Sequence, residues 1–201
     1  FSMDYFANER YLLPLSHDEV VHGKATILQK MHGDYEGKFP QARALYLYML
    51  AHPGKKLNFM GNELGHFREW DEGREQDWNL LDYPLHQGFL AFHRALNHCY
   101  LTAPALWRDG GTGFFTWLQR GEDGLFAFLR EGNGQRLLAV FNFLDREQDL
   151  SLFLNGATRL QLMLDSDSAA FGGSAQEKPE AKYSGLRLTL PPYSGRLYQV
   201  E

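Results

Sequence analysis

From Asp109-Gly110-Gly111 onward the chain keeps a two-residue apolar rhythm, which leaves few folds open to it. GFFTWLQR, GLFAFLRE, RLLAVFNF, DLSLFLN, RLQLMLDS and LRLTLP are each six to eight residues long, separated by turns rich in Gly, Asn, Asp or Glu. In the last of them Leu186, Leu188 and Leu190 alternate with Arg187 and Thr189. Alternation sends every second side chain to one face of a strand, and short strands at regular spacing build antiparallel sandwiches. Roughly 90 residues carry the complete pattern, enough for this half to fold alone. Residues 166–185, the stretch richest in Ser, Ala and Gly, are expected to be a mobile excursion between strands.

The first half obeys a different grammar. YLLPL (11–15) is a short strand with Pro14 near its end. Ala42, Leu45, Tyr46, Met49 and Leu50 recur at helical steps, and His52-Pro53-Gly54 stops that helix. LNFM (57–60) is a second short buried strand, closed by Gly61 and followed by the long loop NELGHFREWDEGREQDWNLLDYP. After Pro84, Phe89, Phe92, Leu96 and Cys99 share one face of a second helix.

Strand, loop and helix, repeated twice, describe a parallel sheet covered by helices. Both long loops follow strands, the end at which α/β barrels and open sheets carry chemistry. A parallel sheet needs both faces covered, and a complete barrel takes eight such units over about 250 residues. Residues 1–108 are therefore expected to be the last two βα units of a TIM (β/α)8 barrel, and residues 109–201 a C-terminal antiparallel β-sandwich. On this reading the chain, which starts at Phe1 without an initiator Met, is a C-terminal fragment. Its uncovered strand surfaces are expected to promote self-association.

A net charge of −5 with both signs interspersed, and no basic tract, argues against nucleic acid. No apolar stretch approaches the ~20 residues that span a bilayer, so no membrane role is expected. Cys99 stands alone, which rules out a disulfide within the chain.

Chemistry concentrates at Ser16-His17-Asp18-Glu19-Val20-Val21-His22. A metal site is disfavoured, because His17 and His22 are five apart and fall about 140° away from each other on a helix. The zinc pattern H-E-x-x-H needs a four-residue step. A solvated turn fits, since Ser16 and Asp18 are ordinary helix-start residues. A sugar site fits as well: an aspartate can accept from two vicinal hydroxyls while a histidine donates to one. Such bonds strengthen as a glycosidic carbon gains oxocarbenium character. Phe67, Trp70, Trp78 and Tyr83 in the second loop offer rings for sugar faces, although packing alone accounts for some of them. Residue types leave the turn and the sugar site both open.

RYLLPLSHDEVVHGK, GDYEGKF, MGNELGHFREW and QDWNLL together resemble the bacterial glycogen branching enzymes of the α-amylase superfamily, over essentially the whole chain. The resemblance implies a cytoplasmic transferase of glycogen biosynthesis that acts on α-glucans and needs no metal or organic cofactor. Such an enzyme cleaves an α-1,4 bond and passes the chain to a 6-hydroxyl through a covalent glycosyl-enzyme. It implies that His17 and Asp18 close the seventh barrel strand and hold glucose in the −1 subsite. Asp18 would be the carboxylate that stabilises the transition state. Trp70 and Trp78 would line the glucan groove, LNFM would be strand eight, and Glu63 would be a supporting carboxylate. The nucleophile and the acid/base, about 5–5.5 Å apart in retaining enzymes, belong to strands four and five, outside the matched motifs. The isolated chain is thus expected to be inactive; the alternative is a non-catalytic glucan-binding module.

Overall fold

The computed structural model describes residues 12–110, 112–175, 180–182 and 186–201. Tyr11, and residues 176–179 and 183–185 of the expected excursion, lie outside the described residues.

Strands β1 (Leu12–Leu15) and β2 (Lys55–Asn58) pair in parallel, Leu12 opposite Lys55 and Leu15 opposite Asn58. Helix α1 (Tyr35–Ala51) makes the crossover between them. Helix α2 (Pro84–Thr102) follows β2, and a single turn, α3 (Pro104–Trp107), leads into the second half. Two βα units therefore stand in the expected order. The second strand needs two corrections. It begins and ends two residues before LNFM does, and it is not buried, since Leu57 is 40% exposed and no residue of the strand is buried. A lysine pair can open this strand because Lys56 lays its stem inward and donates to the His52 and Gly54 carbonyls beyond α1.

Asp34 caps α1 by accepting the Gly37 N–H at 2.9 Å. Of the expected face, Ala42, Tyr46 and Leu50 are buried, while Leu45 and Met49 are half-buried. Phe39, Leu47 and Ala51 are buried too, because α1 packs on both α2 and a sheet. The expected face of α2 is buried throughout, joined by His86 and His93. His86 Nδ1 lies 2.7 Å from the Leu64 carbonyl and His93 Nδ1 3.0 Å from that of Phe89. Burial pushes the His93 imidazole down to about 4, so it stays neutral in the core.

All six expected strands form: β3 (Phe115–Arg120), β4 (Leu125–Gly132), β5 (Gln135–Asn142), β6 (Gln148–Leu152), β7 (Arg159–Asp165) and β9 (Leu186–Leu190). Two more, β8 (Glu180–Lys182) and β10 (Ser194–Val200), lack a clear sequence signature. The main sheet runs β3-β4-β5-β10-β7-β8, antiparallel throughout, and β6 pairs with β9 in a second sheet. One face of the main sheet packs Leu125, Leu138 and Val140 against Leu150, Leu188 and Leu190 of the small sheet. The other places Phe128, Ala139, Phe141 and Leu197 against Phe39, Leu47 and Phe92 of the helices. The main sheet is thus the middle of three layers, and the helices supply half of its cover. Gly195 permits the closest approach there, since a Cβ would stand 2.6 Å from the Phe141 ring and 3.2 Å from Leu47.

Residues 166–175 differ from expectation. Ser166, Asp167 and Ser168 are buried, and Ala169–Phe171 form a 3-10 turn against α2. Polar residues can be buried here because each finds a partner. Asp165 takes Arg196 Nε at 2.7 Å and the Asp167 N–H at 2.9 Å. Ser166 Oγ accepts the Gly195 N–H at 2.8 Å. Arg43, reaching down from α1 with 1% exposure, donates to the Ser166 and Phe171 carbonyls. A second arginine, Arg130 of β4, is wholly buried and donates to the Ala51 carbonyl and to Asp109, both at 2.7 Å.

Candidate active-site mouth

Chain leaving β1 passes extended Ser16 and enters a 3-10 turn, His17–Glu19, closed by Glu19 N–H on the Ser16 carbonyl at 3.1 Å. Val20 and Val21 plunge into the core and pin the turn from behind. The ionisable groups are left outward. His17 Nε2 lies 3.2 Å from Asp18 Oδ1, with the two side chains 54% and 68% exposed. Asp18 therefore sits three residues beyond a strand end, with its carboxylate open to a ligand.

The second loop is stitched to the first by hydrogen bonds to backbone. Glu69 accepts the N–H groups of Gly23 and Ala25, at 2.9 and 2.7 Å, and these bonds hold its carboxyl below the usual range. Trp70 N–H donates to Val20 and Thr26 Oγ1 to the His66 carbonyl. Arg68 grips Asp77 in a fork, its Nη2 at 2.7 Å, and this bond and charge lower the Asp77 carboxyl. At the strand ends Phe59 N–H and Asn62 Nδ2 both donate to the Leu15 carbonyl.

Rings then connect the loops. The His17 imidazole is 5.8 Å from the Phe59 ring, which meets Trp70 edge-on at 5.1 Å. Trp70 forms one wall of a shallow recess shared with Val20, Met60, Asn62, His66 and Arg68. His17 and Asp18 do not line that recess; His17 connects to it through Phe59 and Trp70. Trp78, 53% exposed on the turn Trp78–Asp82, makes no ring contact with His17, Phe59 or Trp70 among the described residues. Glu63 accepts the Gly61 N–H at 3.0 Å, closing its own turn. Among the described residues no group of three His, Cys, Asp or Glu side chains is arranged to hold a metal ion. No helix there is long and apolar enough to cross a membrane.

Sequence reasoning missed Glu69, His66, Arg68 and Asp77. The Arg68–Asp77 pair spans nine residues of irregular loop, and Glu69 binds a loop more than forty residues away, so no local period marks them.

Residues 117–201 match the alpha amylase C-terminal all-beta domain. The chain as a whole is similar to bacterial 1,4-alpha-glucan branching enzymes. It is 39% identical over its full length to the 1,4-alpha-glucan branching enzyme GlgB of Oceanobacillus iheyensis, covering 34% of that protein. Identity is 40% to the enzyme of Salinibacter ruber, over 96% of this chain and 33% of the relative. For Rhizobium meliloti it is 42%, over 96% and 28%. The chain spans about a third of the length of these curated relatives.

Two solved structures share its fold. The Nostoc punctiforme debranching enzyme does so with TM-score 0.62 and 23% identity, over 94% of this chain and 33% of that one. The trehalulose synthase MutB of Pseudomonas mesoacidophila does so with TM-score 0.64 and 16% identity, over 97% and 44%.

Proposed function

We propose that this chain forms the −1 subsite wall and the C-terminal all-β domain of a 1,4-α-glucan branching enzyme, with residues 1–108 as the end of a (β/α)8 barrel and 109–201 as the appended domain. The observation that carries this is the His17–Asp18 pair, presented outward on a turn at the end of a parallel strand and joined by rings to the second loop. The full-length similarity to branching enzymes supports it.

In this reading Asp18 accepts two vicinal hydroxyls of the glucose ring and His17 donates to a third. These three bonds tighten as positive charge develops at the anomeric carbon, so they lower the barrier rather than merely hold the substrate. Trp70 and Trp78 supply faces along the groove, and the partner is an α-glucan such as glycogen or an amylose-like chain. The bond-breaking carboxylates belong to other strands of such a barrel, so the chain by itself turns over no glucan. The uncovered β1–β2 surface, with Leu12, Leu57 and Met60 exposed, supports self-association of the isolated chain.

Titration of the chain with maltoheptaose, followed by calorimetry, tests the site. Asp18→Asn is expected to weaken binding by about 1.5–3 kcal/mol, the worth of hydrogen bonds to a charged group. Unchanged affinity in Asp18→Asn would remove the subsite reading. Glycogen branching by the chain alone, free of contaminating enzyme, would remove the claim of inactivity. Persistent binding in His17→Ala and Asp18→Asn together would favour a glucan-binding module that uses other surfaces.

A further inference from the structure

Behind the mouth lies a small internal recess that the proposed chemistry does not use. It is walled by Thr26 and Leu28 of the first loop, Asn62 and His66 of the second, Tyr46 of α1 and Phe89 of α2. Two polar atoms on these walls are sealed from solvent and meet no hydrogen-bond partner among the described residues: Tyr46 Oη and His66 Nε2. The Tyr46 ring cannot swing away to find one. It is wedged edge-on between Phe89 at 5.9 Å and His93 at 4.5 Å, and it is 1% exposed. The Thr26 hydroxyl is already committed, donating to the His66 carbonyl at 2.6 Å and accepting the Gln29 N–H at 3.1 Å.

Proton positions on these groups are complementary. His66 Nδ1 faces Asp77 Oδ2 at 3.4 Å, which places the ring proton on Nδ1 and leaves Nε2 a bare acceptor. Burial lowers the imidazole's proton affinity and keeps it neutral. Tyr46 Oη keeps its proton, because burial raises that phenol. A phenol that can donate and an imidazole that can only accept, both sealed from solvent and belonging to residues that line one recess, call for a small molecule that accepts from one and donates to the other.

We propose that this recess is a binding site for an internal water, held between Tyr46 Oη and His66 Nε2. The water accepts from Tyr46 and donates to His66, and its remaining hydrogen bond falls to the surrounding wall. It thereby ties α1 to the second loop, where His66 meets Asp77 and Asp77 meets Arg68. The loop carrying Arg68, Glu69 and Trp70 is then fastened from beneath as well as from the first loop.

The sign of one substitution tests this. Tyr46→Phe keeps the wedged ring and removes only the hydroxyl. If a water is held there, the variant strands it and lowers Tm by about 2–4 °C. If the hydroxyl is a true orphan, removing it relieves an unsatisfied polar group, and Tm is unchanged or rises, which overturns the proposal. Water-¹⁷O magnetic relaxation dispersion gives a second reading that does not depend on the sign of a stability change, and absence of a long-lived internal water from the unaltered chain already overturns the proposal. A long-lived internal water that Tyr46→Phe abolishes supports the site, whereas identical dispersion from both chains overturns it.

Discussion

The mouth formed by residues 16–34 and 61–83 and the interface between helices and main sheet are built from opposite materials. The mouth is polar and open, and it holds together through single hydrogen bonds from side chains to distant backbone, such as Glu69 on Gly23 and Ala25. The interface is mostly apolar, with Tyr48 meeting Phe126, Phe128, Phe141 and Phe143 at 5.2–6.0 Å, and two arginines buried in it. Buried packing is concentrated in the second region and outward polar groups in the first. Functional groups left outward contribute little to stability, so a scaffold elsewhere must hold them still.

The contrast is broken most directly at Arg130. Arg130→Ala takes the donor from the Ala51 carbonyl and the 2.7 Å partner from Asp109, which keeps the Gly54 N–H and Lys55 at the rim. Cutting such a largely buried pair costs about 3 kcal/mol, the low end of the range for buried charges. Urea unfolding should show that loss as one cooperative transition. Two separated transitions would mean that helices and sheet are independent units and that the interface is not shared.

A smaller effect sits at the edge of the same interface. Burial pushes the Lys56 ammonium down to about 7, and neighbouring Arg130 adds to the fall. An unfolded lysine holds its proton to about 10.4, so between pH 7 and that value the unfolded chain binds more protons and stability rises with pH. Tm should climb from pH 7 to 9, and Lys56→Met should flatten the climb. An equal slope in both proteins would assign the pH dependence to other groups.

The mildest test belongs to the mouth. Glu69→Gln weakens the two bonds to Gly23 and Ala25, and their amide hydrogens should exchange faster while the global Tm stays put. In the native protein that stabilisation is complete above the ordinary glutamate range and fades as pH falls through the lowered carboxyl. A large drop in Tm for Glu69→Gln would show that the mouth bears structural load after all.

Where one face of an element meets water, the sequence was readable. The alternating leucines of β9 and the apolar stripe of α2 each lie where their period places them. β5, covered on both faces, was readable too, because both faces take apolar side chains. Legibility fails at its neighbour β10, which is covered in the same way but reads Ser-Gly-Arg-Leu-Tyr-Gln-Val, a sequence that opens like a turn and shows neither a continuous apolar run nor a clean alternation. Residues 166–168 carry loop composition yet are buried, since these polar residues and Asp165 find partners in one another, in the Gly195 N–H and in two arginines, a pattern no local window reveals. Of the mouth, the His17–Asp18 pair was visible as polar residues spent directly after a strand. The loop carboxylates were not, because their partners are set by tertiary structure alone.

Arg43 has a kinetic consequence. Its guanidinium joins backbone 123 and 128 residues further along, and the helix that bears it rests on the central strand. Contacts of such long sequence separation must wait for the intervening chain to loop back, which slows folding more than it alters final stability. During synthesis the inner side of α1 therefore stays greasy and uncovered long after that helix has left the ribosome, a window in which chaperone capture or aggregation competes with docking.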